Sequence, residues 1–287
     1  GAGEVREGTL DLRLATRNLD LAGIQKRLHK TQLAGRLALG ASPQTQRMTV
    51  DLSQQRYQVR FSGALANRVV TVKEAYARAG NAQLATRGKV TLNSLKDFSI
   101  DGRLTNFDPA QFGNYPSQLI NSRFDAKGRI DPVIQVAGNV QVTDSRFFNM
   151  PATATGVFST RRADHPEVDL NIAMNVGKTR ATAKGTLKDP ARLEWIAHEL
   201  TLAGASLDEL YKIVSVPLPP TPPYRISGRL LQKANVWEFQ KFAGTVGDSD
   251  LSGSFVVDRR RSPQFMKADL TSTRLDLADL AGFVGAE

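Results

Sequence analysis

A chain of 287 residues, 41% of them apolar and 7% aromatic, is long enough to bury a core and lacks the composition of a disordered segment. The absence of cysteine excludes disulfides, thiolate metal sites and cysteine nucleophiles, and no run approaches the roughly 18 consecutive apolar residues of a membrane span. The net charge of +10, from 38 basic against 28 acidic residues, would favour anionic partners; the basic residues are nevertheless spread along the chain, and only Arg259-Arg260-Arg261 forms a tight run, where the pattern calls for a turn.

From the N-terminus, Leu10, Leu12 and Leu14 open a strand, which Leu19-Asp20-Leu21 then leaves. Leu33, Gly35, Leu37 and Leu39 alternate next, followed by Tyr57, Val59, Phe61, Gly63 and Leu65. Leu84 to Leu92, Phe98 to Leu104, Phe124 to Ile130 and Ile134 to Val142 repeat the pattern with Gly88, Gly102, Gly128 and Gly138 on the apolar register. Ala154 to Phe158 is a weaker instance, and Ala181 to Leu187 and Tyr224 to Leu230 complete the series. The chain begins Gly-Ala-Gly-Glu without methionine, which reads as an excised piece whose targeting segment is not included.

The clearest unit is Phe242 to Val257. Phe242, Gly244 and Val246 lead into Gly247-Asp248, a pair suited to a two-residue II′ turn, and Leu251, Gly253, Phe255 and Val257 lead out. The same turn chemistry recurs at Gly80-Asn81 and Gly177-Lys178. Glycine repeated on the apolar face of successive strands predicts that this face is concave, because removing side chains there lets a twisted sheet curl. Periodicity leaves two outcomes open, a groove or a closed core between sheets.

Leu19-Asp20-Leu21, Phe107-Asp108-Pro109, Leu207-Asp208-Glu209-Leu210 and Leu275-Asp276-Leu277 each follow a strand and predict short helices N-capped by the aspartate. Arg192 to Leu202 fits either an irregular strand or a short helix. Pro217 to Pro223, with five prolines in seven residues, predicts an extended crossover into the Tyr224 strand, with a domain linker as the other reading. His29, His165 and His198 are isolated, and no H-E-x-x-H, G-x-S-x-G, P-loop or completed calcium loop occurs; Asp248 and Asp250 read as turn residues. No catalytic site or cofactor is expected, and no stacking platform for nucleic acid stands out.

The C-terminal third carries a resemblance. Leu207-Asp208-Glu209-Leu210, the run Pro217 to Gly228, Gly247 to Gly253, Ala268-Asp269-Leu270 and Leu275 to Leu280 resemble the C-terminal region of AsmA-family proteins of Gram-negative bacteria. Residues 1–190 resemble the AsmA/TamB superfamily more loosely, through the glycine-bearing strands, and residues 191–287 continue the same sheet. The resemblance implies a periplasmic protein anchored in the inner membrane and related to bridge-like lipid transfer proteins, in which a U-shaped β-sheet carries phospholipid acyl chains along an apolar groove.

The expected fold is therefore mostly β, a long curled antiparallel sheet of glycine-bearing hairpins with a few short helices. Val59, Phe61, Ile100, Leu104, Val136, Val140, Ile226, Leu230, Leu251 and Phe255 are the residues expected to meet lipid tails, while Arg60, Asp101, Arg103, Arg225 and Arg229 face solvent. The alternative is a non-enzymatic assembly factor for outer-membrane proteins, pairing strands at an open edge over a filled core.

Overall fold

The computed structural model describes all residues except 7, 24–25, 27, 93, 95, 116, 131–133, 163–164, 190–193, 212–217, 234, 263–264 and 281–287. Residues 1–147 form one unit and residues 148–287 another. The first is a meander of β1 (Ala2–Arg6), β2 (Thr9–Leu19), β3 (Leu33–Ala41), β4 (Thr45–Gln54), β5 (Tyr57–Ala66), β6 (Val69–Ala79), β7 (Ala82–Thr91), β8 (Asp97–Phe107), β9 (Ile120–Arg129) and β10 (Gln135–Phe147). Each strand pairs antiparallel with the next. The second contains β11 (Met150–Arg162), β12 (His165–Val176), β13 (Thr179–Asp189), β14 (Glu194–Gly204), β15 (Tyr224–Lys233), β16 (Val236–Val246), β17 (Ser249–Asp258) and β18 (Phe265–Thr271), paired in the same way. The expected antiparallel, hairpin-built sheet is what the chain forms.

The three Gly-led turns have a common geometry. Gly80, Gly177 and Gly247 take φ of +59°, +58° and +57°, the positive value a II′ turn needs at its first central position. On the apolar face, glycine answers a second demand. A Cβ at Gly244 would overlap the Arg225 carbonyl oxygen and stand 2.7 Å from Ile226 Cα, and one at Gly185 would meet the Ile196 carbonyl and stand 2.7 Å from Ala197 Cα. The neighbouring backbone lies in the volume that a side chain would take, so the pleat closes up on this face, as inward curling requires.

In each unit the two rows of strand ends differ. Even-numbered strands end at a lip that carries the Gly-led turns and the short helical elements, each a single 3-10 turn. Asp20 accepts hydrogen bonds from the Ala22 and Thr31 N–H groups, and Asp108 from Ala110 and Gln118, so each aspartate caps its turn and also ties down the returning chain. Asp276 caps Leu277–Leu280 through the Ala278 N–H. Asp208 departs from the expectation: Ser206 stands at the N-cap and Asp208 lies inside the turn Leu207–Leu210. The two loops of the first unit join where the His29 N–H donates to the Phe112 carbonyl at 2.8 Å and the Tyr57 hydroxyl to the Gln111 carbonyl. Leu33, Leu52, Ala79 and Ala82, the most buried apolar residues of this unit, lie along that lip.

Two ambiguous segments resolve. The stretch read as strand or helix is the strand β14, with a bulge between Ala197 and Leu200; Arg192 and Leu193 lie outside the described residues. The proline-rich stretch is neither a linker nor a crossover, since β14 and β15 are direct neighbours. It is a strap, tied back where Thr221 Oγ1 accepts from the Leu207 N–H and Ser206 Oγ from the Thr221 N–H, at 3.1 and 2.8 Å. Pro217 itself lies outside the described residues.

Candidate functional site: an apolar face with one strapped lip

Strand register decides which side chains share a face, because directly opposed residues of an antiparallel pair point the same way. In the first unit Val59 and Phe61 lie opposite Ala77 and Ala75, Ala77 opposite Leu84, and Leu84 opposite Leu104. The same rows take in Ile100 through Ala126 and Gly138, and reach Val136 beside Gly128 and Val140 beside Phe124. The six residues expected in this unit thus lie on one face. Leu10, Leu14, Leu39, Met48 and Ile100 on that face each keep 37–41% of their surface accessible, so no second layer closes over them.

In the second unit Ile226, Leu230, Leu251 and Phe255 come together in a cavity of about 220 Å³. Ile226 lies between Leu202 and Gly244, and Phe255 between Phe239 and Ala268. At the strapped lip Leu207, Leu210, Tyr224 and Val246 form a buried cluster, against which Leu202, Leu218, Ile226 and Leu251 pack. This cluster closes one end of the cavity. The lining elsewhere is aliphatic and aromatic except for Arg259.

Trp237, Phe239 and Phe242 also line the cavity, and the sequence reading did not assign them there. Phe239 and Phe242 have opposite parity on a regular strand, but a register shift between them, with Lys241 at φ +48°, turns both rings to the same side. They stack at 5.3 Å with 5° between ring planes. A bulge reverses parity part-way along a strand, so strict alternation carried through it misassigns residues on its far side.

The other face is charged, as expected. Arg60 pairs with Glu74 at 2.8 Å and lies over the Tyr76 ring, and Arg87 pairs with Asp101 at 2.9 Å. Arg103, Arg225 and Arg229 fall on that face by register. The aspartates near the Gly247-Asp248 turn have structural partners: Asp250 accepts from Ser272, Thr273 and Arg274, and these bonds hold its carboxyl well below the usual carboxylate range. Asp279 accepts from the Asp248 and Ser249 N–H groups and the Ser249 hydroxyl.

At the opposite lip the basic run Arg259-Arg260-Arg261 follows β17. Arg260 grips Asp258 in two parallel bonds, Nε to Oδ1 at 2.8 Å and Nη2 to Oδ2 at 2.7 Å, and its N–H adds a third at 3.0 Å. Chiefly through the Arg260 side chain, the Asp258 carboxyl is lowered to about 2. A depressed folded-state value means that Asp258 stabilises the fold above its unfolded value of about 4, and that this contribution is lost as pH falls through about 2. The difference in urea midpoint between the wild type and Asp258→Asn is therefore expected to be constant above about pH 5 and to shrink towards zero near pH 2.

No helix among the described residues is long and apolar enough to cross a membrane. Among known proteins, neither a family model nor a solved structure matches the chain. AsmA family protein YhjG of Escherichia coli (strain K12) is 31% identical over 150 residues, a stretch covering 50% of this chain and 22% of YhjG. The similarity thus spans about a fifth of that relative's length. That identity, together with the antiparallel hairpin architecture that the AsmA resemblance implies, supports membership of the AsmA family.

Proposed function

We propose that this chain is a lipid-binding section of a larger AsmA-family protein, holding phospholipid acyl chains on its apolar faces for lipid transport or homeostasis between the inner and outer membranes. On this reading it lies in the periplasm, in a protein anchored in the inner membrane. The observation that carries the proposal is the cavity of β14–β18, where aliphatic and aromatic side chains converge and Arg259 alone is charged. Apart from Arg259, such a lining offers no polar group to fix a small polar substrate, and it suits a flexible hydrocarbon. Each methylene removed from water contributes about 0.8 kcal/mol, so a few methylenes suffice for measurable retention. The site acts by burial and not by chemistry.

The purified chain is expected to take up a fluorescent fatty-acid probe saturably, to release it to added phospholipid, and to carry phospholipid when isolated from a bacterial periplasm and weighed by native mass spectrometry. An assembly factor working by strand addition predicts neither uptake nor co-purified lipid. A clean apo mass together with no probe uptake would overturn the proposal.

A further inference from the structure

We propose that Arg259 anchors the phosphate of an anionic glycerophospholipid at the open lip of the second unit, with the acyl chains directed towards the strapped lip. The inference rests on the lipid-binding reading above and adds to it a headgroup class and an orientation. Arg259 lines the cavity beside Trp237, Phe255 and Val257 through its hydrocarbon stem, as an exposed residue of the turn that follows β17. Its backbone N–H closes the turn onto the Asn235 carbonyl at 2.9 Å, which places the side chain beside the start of β16.

The neighbouring charges are already engaged. Asp258 is held by Arg260 in three hydrogen bonds, and Arg261 lies over the Phe265 ring, 4.8 Å from its centroid. Arg259 has no side-chain partner among the described residues, and the three arginines face a single carboxylate within the turn. A guanidinium fork matches two phosphate oxygens.

The strapped lip is closed by the Leu207, Leu210, Tyr224 and Val246 cluster, and of its carboxylates Glu209 is paired with Lys178 at 3.6 Å while Asp250 and Asp279 are taken up by local donors. An anionic acyl lipid therefore fits with its head at Arg259 and its tails towards Leu207 and Leu210. A zwitterionic head fits less well, because its own cation offsets the phosphate and meets Arg260 and Arg261.

The test uses dihexanoyl phosphatidylglycerol and dihexanoyl phosphatidylcholine, both soluble as monomers, to displace a fluorescent phosphatidylcholine from the whole chain. In the wild type the anionic lipid is expected to compete about tenfold better, the size of one charge-assisted hydrogen-bonding interaction. Arg259→Gln removes that preference by weakening phosphatidylglycerol competition more than phosphatidylcholine competition, whereas Arg274→Gln, at the strapped lip and equal in charge change, retains it. Raising the salt from about 0.05 to about 0.5 M narrows the wild-type preference.

Probe uptake with equal competition by the two lipids, or a preference that survives Arg259→Gln, would overturn the headgroup assignment and leave the acyl groove standing. Absence of probe uptake in the wild type would overturn both. Hexanoate at matched concentration completes the comparison: competition equal to that of phosphatidylglycerol would show that Arg259 reads any oxyanion, against the phosphate assignment.

Discussion

Uptake of an acyl probe by an Ile226→Glu variant is expected to fall roughly tenfold or more, with the far-ultraviolet circular dichroism of an intact sheet. Ile226 faces the cavity between Leu202 on one neighbouring strand and Gly244 on the other. A carboxylate there keeps its charge only by drawing water into the apolar lining, which removes the dry surface an acyl chain would occupy. Because Ile226 also packs on the buried Leu207, Leu210, Tyr224 and Val246 cluster, the substitution costs some stability. Val136→Glu provides the control in the first unit, where Val136 lies opposite Gly128 on the apolar face. If both variants fold and still take up probe like the wild type, the apolar faces are not the binding surface.

The largest effect on stability is expected at Gly244. A side chain there must displace the Arg225–Ile226 backbone of the adjacent strand, and backbone cannot rotate aside as a flexible side chain can. Gly244→Val is expected to cost about 3 kcal/mol or more, at the upper end of overpacking effects, read as a lower urea midpoint. Gly40→Ala is the comparison, since a Cβ at Gly40 meets nothing within 4 Å, and its effect is expected to stay within about 0.5 kcal/mol. Equal midpoints for the two variants would mean that the glycines of the apolar face do not mark close backbone approach.

Much of this arrangement was legible in the residues. The Gly-led turns announce themselves because a positive φ is costly for other residues, and strict alternation places Val59 with Phe61 and Leu251 with Phe255 on a common side. The strands that were harder to see, β4, β6, β12 and β18, lack the glycine marker. In β6 a register shift between Val72 and Ala75 also breaks the alternation part-way. The same device hid Phe239 and Phe242 as cavity residues, because a bulge reverses parity without altering composition.

The Gly-led turns, the glycine-bearing strands and the apolar side of those strands follow from period-two patterning and local backbone preferences. So do most of the capping aspartates, whose partners lie a few residues away. Which rows of side chains meet is set by the fold, because register across a sheet is a relation between distant segments. The fold placed the Pro-rich stretch as a strap over one lip, a position set by the Thr221 and Ser206 hydrogen bonds that link residues 14 and 15 apart. It also set Arg259 in the lining of the cavity, apart from Arg260 and Arg261: identical residues in one run, separated in role by what the fold brings beside each.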